Sequence, residues 1–413
     1  MTPVFWPVRP ARPLPPPRPG GAGGSAIEPF PTAPYALTLA DNAFLKLNAS
    51  LDTAMLARAA DATTRGLCAA VVDLRPVGGG DGIYQGYNDD DMLYVGSLQK
   101  ISAMYAAFEL RDRVQRHVNN AIAHGSSTSA SDWLKMQMDL KTAWQPKLDA
   151  AFPKLPSGFP KLAEIFTFSA GVVNFSSSGQ STPQLDAIGQ GSVSSLKFLE
   201  RLKLMLRWSN NHAASSCILA LSYPYMNGVL KSAGFFDPGS TGLSSGPPRG
   251  LWISGNYVDL SKDWLPDRTA NDAAAGQPKT ARWFAPPLPT RPKTNFAATA
   301  RQVARFMALI GLDKLVDAQS CREMRALMSG RELNRPPYTS GTGSFLARAL
   351  FDAHRPFDEV WGKIGIGDDS LFHDCGIVER TVAGTKSRYA VVGLGATSYG
   401  QLAKFFEEVD KGI

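Results

Sequence analysis

Short apolar, β-branched stretches stand near both ends of this chain, and helix-period stretches fill what lies between. Leu67–Leu74, with Val71 and Val72 at its centre, reads as a strand. Ile83–Tyr87 reads as its hairpin partner, beyond the turn marked by Gly78, Gly79, Gly80 and Gly82. Val360–Ile366, Leu371–Glu379 and Tyr389–Leu394 read as three more strands. The spacing of apolar residues predicts helices over 36–65 (stopped by Gly66), from Ser97 to about Val118, and over Ser131–Phe152 with a break at Pro146. It predicts further helices over Ser195–Trp208, Ala213–Leu221, Ala297–Ile310, Cys321–Ser329 and Leu402–Val409. Strands from both ends can share one antiparallel sheet only if the helical middle is an insertion. The expected fold class is therefore α/β (α+β): an antiparallel sheet flanked by N- and C-terminal helices, plus an inserted all-helical domain. The expected boundaries are a leader over 1–35, a discontinuous sheet domain over 36–96 and 355–413, and a helical domain with long insertions over 97–354.

Composition narrows the function classes. The 413 residues are 44% hydrophobic and 19% charged, which suits a folded chain. The net charge of +7 is modest and comes with no dense Lys/Arg run, so nucleic-acid binding is not expected. Cys68, Cys217, Cys321 and Cys375 lie far apart with no C-x-x-C pair, and only five His are present. Neither a metal site nor a disulfide framework is implied, and no cofactor is expected. No apolar run approaches the ~18 residues needed for a membrane span.

Residues 1–34 hold 11 of the 30 prolines, then Gly20-Gly21-Ala22-Gly23-Gly24. Proline interrupts every candidate signal-peptide core, so a cytoplasmic location is favoured over export. The stretch reads as a disordered polyproline or flexible leader, with docking to a proline-recognition domain as the alternative.

Ser97 and Lys100 stand at i and i+3 on a predicted helix, which puts their side chains on one face. A neutral amine there can take the serine proton and make the hydroxyl a nucleophile. The same S-x-x-K spacing recurs at Ser194/Lys197, so by itself it reads as a cap and a surface lysine. Two later motifs, in a fixed order, single out Ser97. Ser209-Asn210-Asn211 stands where one predicted helix ends and another begins, and Lys363-Ile364-Gly365 lies on the first C-terminal strand. Ser254-Gly255-Asn256 and Tyr225-Met226-Asn227 also fit the middle motif, but only Ser209 is followed by a long apolar helix. Lys363 is the only lysine with glycine two residues later.

S-x-x-K, then S-x-N, then K-x-G on a strand resembles the pattern of the active-site serine β-lactamases and penicillin-binding proteins. The flanks Tyr94–Lys100, Trp208–Leu219, Thr294–Leu309 and His373–Val378 resemble the corresponding family segments, and the likeness covers about residues 50–413. The resemblance implies Ser97 as nucleophile forming an acyl-enzyme and Lys100 as its general base. It implies Ser209 as proton relay to the leaving group, and Lys363 as the positive charge facing Ser209 and substrate. It implies substrate contacts at Asn211, Ile364, Gly365 and Ile366, with the N–H groups of Ser97 and Ile366 forming an oxyanion hole. Gly365 is expected to let substrate backbone approach the strand.

Two departures bear on substrate. Ile364 replaces the Thr or Ser usual at the centre of K-x-G, whose hydroxyl helps bind a substrate carboxylate. No Glu occurs from Arg201 through Arg322, where class A β-lactamases place the residue that activates the deacylating water. Asp263, Asp267 and Asp272 fall in that region, with shorter side chains. The expectation is a serine hydrolase acting on an amide or ester of a small-molecule or peptide-like substrate, and not an efficient class A penicillinase. The alternatives are a D-alanyl-D-alanine peptidase, a non-catalytic binder or acylated member of the family, or an interaction protein docking through residues 1–34. Trp133, Trp144, Trp252, Trp264 and Trp283, in the long inter-motif segments, read as core packing residues, with the lining of a differently shaped acyl pocket as the alternative.

Overall fold

The computed structural model describes residues 67–74, 83–123, 132–151, 158–169, 171–179, 193, 195–237, 249–253, 296–328, 344–366, 370–382 and 384–413. The leader, the helix expected over 36–65, the glycine turn, Ser194, Trp264 and Trp283, and Asp263, Asp267 and Asp272 lie outside them, as does most of 238–292.

The first strands are β1 (Cys68–Asp73), β2 (Ile83–Tyr87) and β3 (Leu93–Tyr94). A 3-10 turn, Gly96–Gln99, then runs into α1 (Lys100–Ala123). Next come α2 (Asp132–Ala151), α3 (Leu162–Ile165), β4 (Phe166–Ser169), β5 (Val172–Phe175), α4 (Phe198–Arg207), α5 (Asn211–Leu221) and α6 (Tyr223–Ser232). Four short strands come after them: β6 (Phe236–Asp237), β7 (Arg249–Gly250), β8 (Trp252–Ile253) and β9 (Phe296–Ala298). Then come α7 (Ala300–Gly311), α8 (Ala318–Met328), α9 (Phe345–Asp352), β10 (Glu359–Ile366), β11 (Phe372–Val382), β12 (Thr385–Ala396) and α10 (Tyr399–Gly412).

The main sheet has the order β10-β11-β12-β1-β2 and is antiparallel throughout. β1 pairs with β12, Val71 opposite Val391, so the two chain ends close one sheet as expected. The pleat of β1 divides the core between the sheet's two faces. Leu67, Ala69 and Val71 pack with α9 and α10, through Leu346, Leu350, Leu402 and Phe406. Cys68, Ala70 and Val72 pack on the other side with α7 and the helical region. The near-unbroken apolar run of β1 is what burial on both faces requires.

One local expectation is corrected. Helix α2 runs through Pro146 without ending. Met136, Leu140, Trp144 and Leu148 bury one stripe of it, and that packing outweighs the proline, which sits on the exposed face. Ser97 stands in the first turn, a 3-10 turn whose N-cap is Val95. Trp144 and Trp252 are fully buried core residues. Tyr225 and Asn227 of the alternative middle motif are buried within α6. Asn227 binds both backbone groups of Ile253 through its amide, at 2.8 and 3.1 Å.

Candidate active site

The turn that carries Ser97 is held from three directions. The Val95 N–H donates to the Phe296 carbonyl at 2.7 Å, tying it to the small sheet β3-β9-β8. The Asn227 clamp fixes β8 in that sheet. On the third side stands Gly365 of β10, where a Cβ would lie 2.2 Å from the Val95 carbonyl oxygen and 2.9 Å from Leu98. The space that glycine leaves is filled by the protein's own backbone rather than held open for a ligand.

Ser209, Asn210 and Asn211 divide three tasks between α4 and α5. Ser209 has φ 53°, the left-handed region that few non-glycine residues adopt. This turn directs its carbonyl oxygen at Lys100. Asn210 caps α5, its side chain accepting from the Ala213 N–H at 2.8 Å. Asn211 opens α5 and offers its amide oxygen to Lys100.

Lys100 is fully buried and brings these pieces together. Its Nζ lies 2.9 Å from Ser97 Oγ, 2.6 Å from the Ser209 carbonyl oxygen, 2.8 Å from Asn211 Oδ1 and 3.2 Å from Ser209 Oγ. Burial, and then the nearby Lys363, hold its pKa well below the ordinary lysine value of 10.5. This shift favours the neutral amine over the ammonium. The Ser209 and Asn211 carbonyl oxygens only accept, so they take the two hydrogens of a neutral amine. The nitrogen lone pair is left for the Ser97 hydroxyl to donate into.

Lys363 is 2% exposed. Its Nζ donates to Ser209 Oγ at 2.8 Å and to the Ile364 carbonyl at 2.9 Å. Burial lowers its pKa to about 8, while Asp374 and Cys375 oppose the fall. It therefore remains largely an ammonium at pH 7, one hydroxyl away from Lys100.

The structure brings Ser97, Lys100, Ser209, Asn211 and Lys363 into one hydrogen-bonded cluster. Ile364 lies apart from it. It pairs with Asp374 across β10 and β11, and paired residues share a sheet face, opposite to that of Lys363 and Gly365. Ile364 is 6% exposed, whereas Ile366, at the end of β10, is 46% exposed. Sequence reasoning missed the Ser209 carbonyl as a ligand of Lys100, because backbone direction leaves no mark on residue type. Among the described residues no three His, Cys, Asp or Glu side chains are grouped to hold a metal. Among the same residues no helix is long and apolar enough to cross a membrane.

No family model and no curated protein sequence matches the chain. Among solved structures it is similar to a β-lactamase from Sphaerobacter thermophilus DSM 20745, at 16% identity and TM-score 0.42, over 88% of this chain and 94% of that one. It is similar to a class A β-lactamase from Bacteroides cellulosilyticus DSM 14838, at 14% identity and TM-score 0.45, over 89% and 98%. It is also similar to PBP-A, at 12% identity and TM-score 0.43, over 88% and 94%. These likenesses bear on neither activity nor substrate. One antiparallel sheet closed by strands from both ends of the described chain, with α9 and α10 on one face and a helical region on the other, is the α+β architecture expected from the sequence.

Proposed function

We propose that the protein is a serine hydrolase that opens an amide or ester of a small-molecule or peptide-like substrate through a Ser97 acyl-enzyme. The observation that carries this reading is the 2.9 Å contact between Ser97 Oγ and the buried Lys100 amine, whose pKa burial holds well below 10.5. Ser97 Oγ bonds to the substrate carbonyl carbon as its proton passes to Lys100. The N–H groups of Ser97 and Ile366 receive the developing oxyanion. As the C–N or C–O bond breaks, Ser209 gives its proton to the leaving group and regains one from Lys100, 3.2 Å away. Lys363 holds the Ser209 hydroxyl through that exchange. Water then cleaves the acyl ester, so that one water is consumed and Ser97 is restored.

The absence of Glu from Arg201 through Arg322 supports slow deacylation of β-lactams rather than class A penicillin turnover. A D-alanyl-D-alanine peptidase ranks lower, since Ile364 has no hydroxyl for a substrate carboxylate and its side chain lies on the far sheet face. The test is intact-mass measurement of the protein and Ser97→Ala after exposure to a β-lactam, an activated ester and a fluorophosphonate. A Ser97-dependent adduct or product is expected. Labelling that survives Ser97→Ala removes Ser97 as nucleophile.

A further inference from the structure

The proposed reaction gives the candidate site two unlike sides. Ser209, which protonates the leaving group, and Lys363, which donates to its hydroxyl at 2.8 Å, mark the leaving-group side. Ile366, whose N–H takes the oxyanion, ends β10 three residues beyond Lys363, about 10 Å along the strand. The acyl part of the substrate therefore lies toward the end of β10, away from Ser209.

What the chain presents there is hydrocarbon. Ile366 is one of four large apolar side chains left exposed among the described residues. Its ladder partner on β11 is Phe372, so the two side chains share a sheet face with Ile364. The ring of Phe345, which opens α9, meets Phe372 edge-on with centroids 5.6 Å apart, and Tyr399 lies 5.8 Å from Phe345. Phe345 and Phe372 are half-buried, so the strip from Ile366 to Phe345 is open to solvent. Asp374 is on the same face but is fully buried under the start of α9, accepting from the Leu346 N–H at 2.8 Å and Ser344 Oγ at 3.2 Å. Lys363 is buried and belongs to the opposite face. β10 is the outermost strand of the sheet, so a group bound against the Ser97 turn can pass over its edge onto Ile366.

Resting on the acyl-enzyme reading, we propose that Ile366, Phe372 and Phe345 form an acyl subsite, and that the substrate is an ester or amide of an apolar acyl group. A carboxylate laid on this strip loses hydration and gains no partner, whereas a hydrocarbon chain loses only its contact with water. The strip starts at the residue whose N–H binds the reacting carbonyl. That continuity assigns it to the substrate's own acyl group rather than to a second copy of the chain.

The experiment measures 4-nitrophenolate release from the 4-nitrophenyl esters of acetate, butyrate and octanoate and from the succinate half-ester, each below its solubility limit. Ser97→Ala supplies the background rate, and intact mass confirms attachment at Ser97. The second-order acylation rate constant is expected to rise about tenfold from butyrate to octanoate, the scale of four methylenes half removed from water. The half-ester, which carries a carboxylate at the acyl end, should be slower than butyrate. Ile366→Asn keeps the backbone N–H and should bring the octanoate-to-butyrate ratio toward one, and Phe345→Ser should lower it in the same direction. A wild-type ratio near one, a half-ester faster than butyrate, or an unchanged ratio in both variants overturns the proposal. The wild-type series decides the matter even where a variant does not fold. A wild-type dimer that Ile366→Asn dissociates assigns the strip to a second copy and also overturns it. Equal acylation of Ser97 by all four esters removes the acyl subsite and leaves the hydrolase reading standing. Failure of every ester to acylate Ser97 removes the hydrolase reading and the subsite with it.

Discussion

The missing Cβ of Gly365 is matched by the carbonyl oxygen of Val95, which would stand 2.2 Å from it. Strand β10 therefore meets the Ser97 turn backbone to backbone, and Lys363, two residues earlier, reaches Ser209 from the same face. Gly365→Ala must push β10 off the turn, an overpacking cost of about 1–3 kcal/mol. Tm should fall accordingly, and Ser97 labelling should fall further than the lost stability explains. A variant that keeps full labelling would show that the strand and turn need not touch for reactivity.

Lys100→Met removes the general base while keeping an apolar stem of similar length. Acylation by an activated ester should drop by about 10²–10⁴-fold, the usual contribution of a positioned base. The stopped-flow or mass-based acylation rate checks this. A rate within about threefold of wild type, far short of the usual loss of a positioned base, would exclude Lys100 in that role.

The acylation rate should trace a bell in pH. Lys100 must be unprotonated, so the acid limb lies at its depressed pKa, well below the ordinary lysine value of 10.5. Lys363 must be protonated, so the alkaline limb lies near its pKa of about 8. A rate that climbs steadily to the ordinary lysine value of 10.5 would contradict the assignment of Lys363 as the retained cation.

Stability carries the same signature with its own sign. Lys100 has its pKa held well below 10.5 in the folded protein, so the unfolded chain binds more protons between that depressed pKa and 10.5. Stability contributed at this site therefore rises with pH across that window, by up to about 1.4 kcal/mol per pH unit. Urea unfolding of the wild type between about pH 7 and 9 should be steeper in pH than that of Lys100→Met. Equal slopes would mean that the amine is protonated in the folded protein.

Exposure to a penicillin should give a Ser97 adduct that persists on intact-mass analysis, because no Glu stands between Arg201 and Arg322 to activate water. Rapid catalytic release of the opened ring by the pure protein would sink this expectation.

Sequence alone determined which residues could meet. The apolar, β-branched stretches at both ends carry the period of strands buried on a sheet, and that required a helical insertion between them. The three ordered motifs named Ser97, Lys100, Ser209, Asn211 and Lys363, since residue type and helical or strand spacing are local properties. The features that only the tertiary structure decided depend on groups far apart in the chain. Pro146 predicts a break, yet the buried stripe through Trp144 carries the helix past it. The positive φ of Ser209 turns a backbone oxygen toward Lys100, and backbone direction has no residue code. Ile364 falls on the face away from Ser97 because the pleat of β10 alternates and its register with β11 pairs it with Asp374. The depressed pKa of Lys100 arises from burial and from Lys363 beside it, and it cannot be read from a lysine in a motif.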